Sequence, residues 1–278
     1  MNHDATPSPT ALMSAAARAA HLLVDADPPL LVDEQAAALC AAAEPSPLTY
    51  QLAAPQEPVL AAARLSATAR SRFAEEVARA SGCGQHVVLG AGLDTSGHRL
   101  PTVTTWLVDL PGVLVWRRER FAAAGLDDVG VPVPADLLVD DVLDALVRAG
   151  WDAGRPTAVT WLGTVMYLDD ESVERVLARL SGLALGSHVV LDHLLPAPDR
   201  DAAGQAYVDA LSAAVGASGE PWRSTLSPEG ARSLLARAGW SVVRSSPEAD
   251  SCPAGFWDRT DALRPQRLVR LVHAVPAG

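Results

Sequence analysis

The chain contains no lysine. All 22 of its basic residues are arginine, and they are set against 33 acidic residues for a formal net charge of -11. So acidic a balance argues against nucleic acid as a partner, because neutralising phosphates takes a basic face. Cysteine is scarce too. Cys40, Cys83 and Cys252 are odd in number, far apart and form no Cys-x-x-Cys pair. They offer no disulfide framework, which points to a reducing, cytoplasmic setting. The opening MNHDATPSPT lacks a basic stretch followed by an apolar run, so no secretory signal is expected there. No apolar run approaches the roughly 20 residues that span a bilayer, and a membrane is not an expected partner. Also missing are His-Glu-x-x-His, the Walker motif and Gly-x-Ser-x-Gly, which leaves zinc hydrolase, P-loop and serine hydrolase readings without support. No metal site is expected.

What is present is a globular composition: 278 residues, 49% hydrophobic and 20% charged, enough for one large domain or a domain with an appendage. Residues 1 to about 10 read as a polar, mobile tail. From Thr10 to Ala43 the alanine- and leucine-rich pattern predicts two helices, interrupted at Asp25 to Pro29 by DADPP. A proline-rich segment, Glu44 to Pro58, breaks the pattern, and a helix follows over Val59 to Ser81. Then strands and helices alternate. His86 to Gly90, Thr104 to Leu110, Thr157 to Gly163 and Ser187 to Leu195 are short apolar runs suited to a sheet buried on both faces. Helical patterns over Trp116 to Leu126, Asp170 to Ala184, about Asp199 to Val215 and Ser227 to Trp240 separate them, and SVVRS and RLVRLVHAV close the chain as strands. Such alternation predicts a doubly wound α/β sheet, in which ligands bind beyond the carboxyl ends of the strands.

One of those ends carries HVVLGAGLDTSGHRL, His86 to Leu100. Gly90 and Gly92 allow a tight turn and a close approach to a ligand, and a polar helix start follows. A dinucleotide fingerprint needs a third glycine where Thr95 stands, so the motif alone is also compatible with a turn that binds nothing. The next strand ends in Asp109, within LVDLP, where a carboxylate can accept from both ribose hydroxyls. Turn and acid together suit an adenosine-containing cofactor. Without a pyrophosphate cradle, S-adenosylmethionine fits better than NAD.

These motifs, followed by Ala135 to Leu137 (ADL) and Val165 to Leu168 (VMYL), resemble the leucine carboxyl methyltransferase family and its bacterial S-adenosylmethionine-dependent relatives. Upstream, TALMSAAARAAHLLVDADPPLLVDEQAAAL and ARSRF (Ala69 to Phe73) resemble the helical segment and arginine motif of the bacterial group, and SGEPWRSTLSPEGARSLLARAGW extends the match. The resemblance implies a class I methyltransferase fold: a Rossmann-like, doubly wound sheet, mostly parallel with an antiparallel final strand, plus an N-terminal helical cap. Residues 1–58 would be tail and cap, and 59–278 the cofactor-binding domain. It also implies that Arg70 pairs with the cofactor's methionine carboxylate, as suits an arginine fork. Gly90, Ala91, Gly92, Asp94 and Leu110 would lie against the cofactor, Asp109 would take the ribose, and Asp136 with Leu137 would frame the adenine. Arg18 has too loose a correspondence to be assigned. Where the family has a glutamate at the end of the fourth strand, this chain has Leu162, within LGTVMYL. That departure motivates an alternative: a protein of this fold that binds the cofactor or a ligand without ordinary methyl transfer. Asp94 would be the candidate to restore the missing negative charge.

The expected reaction is O-methylation of a small-molecule acceptor, most simply a carboxylic acid, with S-adenosylhomocysteine as product. A carboxylate is already ionised and needs no base, so alignment does most of the work. For a hydroxyl acceptor, His193 is the candidate base, and Tyr167 is a candidate for the acceptor side. The acidic chain would require a local basic pocket for an acid, and Arg99, Arg117 and Arg223 are the possible contributors. An NAD-dependent oxidoreductase remains as a further alternative, with the missing third glycine against it. Nothing in the sequence sets the oligomeric state.

Overall fold

The structure is a computed structural model and describes residues 9–217 and 221–278. The tail expected before Thr10 lies almost wholly outside the described residues. Four helices come first: α1 (Pro9–Val24), α2 (Glu34–Ala41), α3 (Leu48–Ala53) and α4 (Pro58–Ser81). The alternating part follows as β1 (Gln85–Leu89), α5 (Ser96–Arg99), β2 (Thr104–Asp109), α6 (Pro111–Ala123), β3 (Val131–Pro134), α7 (Val142–Arg148), β4 (Thr157–Trp161), α8 (Asp170–Leu180) and β5 (His188–Leu194). It ends with α9 (Ala202–Ala217), α10 (Pro228–Arg237), β6 (Trp240–Pro247) and β7 (Val269–Pro276).

The strands form one seven-stranded sheet in the order β3-β2-β1-β4-β5-β7-β6. The pairs among β1 to β5 are parallel, and β7 is antiparallel to both neighbours. The chain winds outward from β1 through β2 to β3, then returns to the other side of β1 as β4. The crevice between β1 and β4 is therefore the switch point of the sheet, where such folds bind ligands.

Period-two alternation divides the core between two faces. Val87, Leu89, Val159, Trp161, Val189 and Leu191 pack with α7, α8 and α10 on one face. Val190 and Leu194 meet Phe73 and Ala74 of α4 on the other. Helix α8 shows how the sequence makes such an element. Asp169 caps it by accepting from the Ser172 amide, Asp170 and Glu171 sit in its first turn, and Val173, Val176, Leu177 and Leu180 form the buried stripe.

Several boundaries differ from the sequence reading. Strand β3 went unread because VPVP is four residues with two prolines; both prolines are exposed on an edge strand, where a missing N–H costs no ladder bond. Helix α7, seven residues capped by Asp141, was too short to show a period. The helix expected after the glycine turn is a single turn, α5, and helix α6 starts earlier, with Pro111 at its first position. The proline-rich segment holds the short helix α3.

Asp33 ties the N-terminal helices to the sheet. It is fully buried and accepts from Arg18 at 2.7 Å, Arg99 at 2.9 Å, the Thr95 hydroxyl at 2.7 Å and the Ala36 amide at 3.2 Å. Two arginines, from α1 and α5, thereby share one carboxylate, and Glu75 of α4 supplies Arg99 with a second. Among the described residues no helix is long and apolar enough to cross a membrane.

Candidate active site

A cavity of about 600 Å³ opens at the carboxyl ends of β1, β2, β4 and β5, under α1 and beside α4. That is within the usual range of small-molecule sites, about 300–1,000 Å³. Its floor is the turn after β1. The amides of Gly90 and Ala91 both donate to the Val108 carbonyl, at 2.9 and 3.1 Å, which folds the turn onto the end of β2. Gly90 has φ +67°, and a Cβ there would lie 2.6 Å from Thr164 Cγ2. A side chain is thus excluded twice, by backbone and by space.

Asp109 closes the turn from the tip of β2. One of its oxygens accepts from the Gly92 amide at 2.8 Å and the other from the Leu110 amide at 2.8 Å. Burial pushes its carboxyl above the usual carboxylate range, against the opposing pull of those two amides and Arg117. Each oxygen keeps a lone pair for a further donor. Arg117, buried beneath, donates to the carbonyls of Gly92 (3.0 Å) and Asp94 (2.7 Å) and pairs with Asp128.

Arg70, from α4, lies under the Gly163 turn after β4. Gly163 has φ +67°, and a Cβ there would come within 3.0 Å of the guanidinium. Arg70 donates to Ser14 Oγ at 2.9 Å and stands 3.6 Å from Asp192 Oδ2, with 18% of its side chain exposed. Asp192, fully buried on β5, accepts from the Gly163 amide at 2.6 Å; burial raises its carboxyl although Arg70 opposes this. Its Oδ2 has no hydrogen-bond partner.

The cavity wall brings together most of the residues expected at the site: Arg70, Gly90, Ala91, Gly92, Asp94, Asp109, Leu110, Leu162 and Tyr167. Asp94 also accepts from the Ser96 amide at 2.8 Å, at the start of α5. Asp136 and Leu137 do not reach the wall. They sit half-buried in the turn after β3, where Asp136 accepts from the Leu138 amide at 2.9 Å and Leu137 packs on the main core.

His193 is displaced from its expected role. It is buried, lies outside the cavity wall, and burial pushes its imidazole down to about 4, so it is neutral and shielded. The reason is strand alternation: Asp192 faces Arg70 and Gly163, so its neighbour faces away. The expected basic pocket is also absent from the wall. Arg99 is held by Asp33 and Glu75, Arg117 by the turn carbonyls, and Arg223 is exposed. Arg18 does line the cavity, with its charge committed to Asp33 and the Leu93 carbonyl.

Sequence reasoning missed Ser14, Tyr207, Trp222 and Gln266, all on the wall. Behind Gln266 lies Glu248, fully buried, accepting from Ser66 Oγ; burial pushes its carboxyl up to about 8. Glu248 Oε2 and Gln266 Nε2 are both without a hydrogen-bond partner. No local pattern announces these residues, because they come from segments far apart in the chain.

Comparison with known proteins agrees with this geometry. A family model described as leucine carboxyl methyltransferase matches residues 11–181. A Mycobacterium bovis protein named "Putative S-adenosyl-L-methionine-dependent methyltransferase" is 37% identical over 143 residues, 48% of this chain and 46% of that protein. A Mycobacteroides abscessus protein of the same name is 36% identical over 198 residues, 68% of this chain and 65% of its own length. The chain thus spans about half to two thirds of the curated relatives it matches. Among solved structures, one described as a "putative methyltransferase" from Thermobifida fusca superposes with a TM-score of 0.62 at 21% identity, covering 99% of this chain and 97% of that one. A duf574 family protein from Streptomyces avermitilis gives 0.59 at 19%, covering 94% and 97%. At such identities the likeness carries the fold alone. With more than half of the chain inside the family model and the glycine turn, Asp109 and Arg70 assembled on one cavity, the chain belongs to the leucine carboxyl methyltransferase family.

Proposed function

We propose that the protein transfers a methyl group from S-adenosylmethionine to an oxygen of a small-molecule acceptor. The observation that carries this is Asp109: a half-buried carboxylate at the tip of β2 whose two oxygens each take one backbone amide and keep room for a hydroxyl donor. That is the donor set a ribose diol completes. Gly90 and Gly92 present bare backbone to the cavity, and Arg70 offers its exposed edge to a carboxylate. Asp94, on the same wall, is the remaining negative charge for an ammonium, in the absence of an acid at Leu162. In this reading residues 1–58 act as a cap, residues 59–278 as the methyltransferase domain, and Asp136 and Leu137 would join the adenine edge only through a shift of their turn. When bound, S-adenosylmethionine supplies an electrophilic methyl on a sulfonium sulfur, and S-adenosylhomocysteine is the product. The protein's part is to hold the acceptor in line with the methyl group.

The test is calorimetric binding of S-adenosylmethionine and S-adenosylhomocysteine to the wild-type protein and to Asp109→Ala. Micromolar binding that weakens about tenfold or more in the variant supports the reading. Absence of binding to the wild type would refute it and leave a fold without its cofactor. Binding with no methylated product from any acceptor would favour a ligand-binding role.

A further inference from the structure

We propose that the acceptor enters the cavity uncharged and is methylated on a phenolic or enolic oxygen. This rests on the methyl-transfer reading and deepens it, and it departs from the carboxylate expected from the sequence.

The half of the cavity beyond Arg70 is walled by Leu60, Met166, Leu194, Trp222 and Leu268, with Gln266 and the two tyrosines as polar points. An acceptor carboxylate there would need a counter-ion. The chain has no lysine, and all of its arginines lie among the described residues. Only Arg18 and Arg70 reach the wall. Arg18 is committed to Asp33 and Leu93, and Arg70, already beside Asp192, is the one group left for the cofactor's own carboxylate. A second carboxylate would be desolvated near the buried acid Asp192, which costs far more than burying a neutral group.

The wall also limits the kind of oxygen. Among the described residues it holds no histidine, and its carboxylates are Asp94 and Asp109, both of which the methyl-transfer reading gives to the cofactor. An aliphatic alcohol would find no base. A phenol ionises with a pKa of about 10, far below that of an aliphatic alcohol, so its anion can form without a side-chain base and increasingly so as pH rises. Its hydroxyl proton leaves to solvent water; the oxygen then bonds the methyl carbon as the carbon–sulfur bond breaks, with that electron pair staying on sulfur. The anion exists only beside the sulfonium, which balances it.

The experiment is calorimetry on the wild-type protein saturated with S-adenosylhomocysteine. Shape-matched pairs are titrated: 2-naphthol against 2-naphthoate, and 4-phenylphenol against biphenyl-4-carboxylate. Each phenol should bind about tenfold tighter or more than its acid, and Trp222→Ala should weaken the phenols about fivefold or more while S-adenosylhomocysteine binding holds. Acids binding as tightly as phenols would overturn the proposal, as would phenols that do not bind while S-adenosylhomocysteine does. If S-adenosylhomocysteine itself fails to bind, the methyl-transfer reading falls instead.

Discussion

Replacing Glu248 by glutamine should make the protein progressively more stable than the wild type as pH rises. Glu248 is fully buried behind the cavity wall, and its carboxyl is held up at about 8, against 4.5 for an ordinary glutamate, chiefly by desolvation. Between these values the folded protein keeps a proton that the unfolded chain has released. Protons are bound more tightly by the native state, so stability falls as pH rises through this window. At ~1.36 kcal/mol per unit, a gap of about 3.5 units sets an upper bound of about 5 kcal/mol lost by pH 8, and relaxation of the site should leave about 2–5. Glutamine has the same shape and can still accept from Ser66 Oγ, but carries no titrating proton. Urea unfolding followed by circular dichroism, at unit steps from pH 5 to 8, measures both proteins. The difference should be small at pH 5 and grow by up to ~1.4 kcal/mol per pH unit. His86 and His193, both pushed down to about 4 by burial, shape each profile and cancel in the difference. A difference independent of pH would mean that Glu248 is ionised in the folded protein, and the account of that buried cluster would be wrong.

Two further substitutions probe the scaffold of the site. Asp33→Ala leaves Arg18 and Arg99 facing a void where their shared carboxylate stood, and should cost about 3–5 kcal/mol in urea unfolding at pH 7; a loss under about 1 would show that the network is not what joins the N-terminal helices to the sheet. Gly90→Ala forces a Cβ at φ +67° to 2.6 Å from Thr164 Cγ2 and should weaken S-adenosylhomocysteine about tenfold or more, with part of the loss recovered in Gly90→Ala/Thr164→Ser, which removes that methyl; equal affinity in all three proteins would refute the close approach of the turn.

Much of the fold was legible because its signals are local. A buried parallel strand is a short apolar run, and the turn after β1 and the acid ending β2 lie within 25 residues of each other in the sequence. What failed was whatever depends on facing or on distance along the chain. His193 follows Asp192 on β5, so the pleat sends the two to opposite sides of the strand, and only Asp192 meets the site. Asp33, read as part of a helical segment, is the hub for three side chains from α1, the turn after β1 and α5. The acceptor wall is assembled from α4, α9, Trp222 and the approach to β7, none of which signals the others.

Leu162 shows how reading by position can mislead about charge. In sequence, the family's glutamate at the end of β4 is gone, which reads as a lost contact beside the cofactor. In space, the carboxylate of Asp192 arrives from the neighbouring strand, with Oδ1 on the Gly163 amide at 2.6 Å and Oδ2 3.6 Å from Arg70. A buried arginine without an acid nearby would be costly, so some carboxylate has to stand there whatever residue 162 is. The cost falls on Asp192 instead, whose carboxyl burial holds above its usual range and whose Oδ2 is left unpartnered. A negative charge absent from one strand end and present on the next keeps Arg70 neutralised while freeing the position of Leu162 to be apolar. That leaves the cavity beyond Arg70 free to be apolar, as the proposed neutral acceptor requires, while Arg70 keeps an exposed edge for a ligand carboxylate.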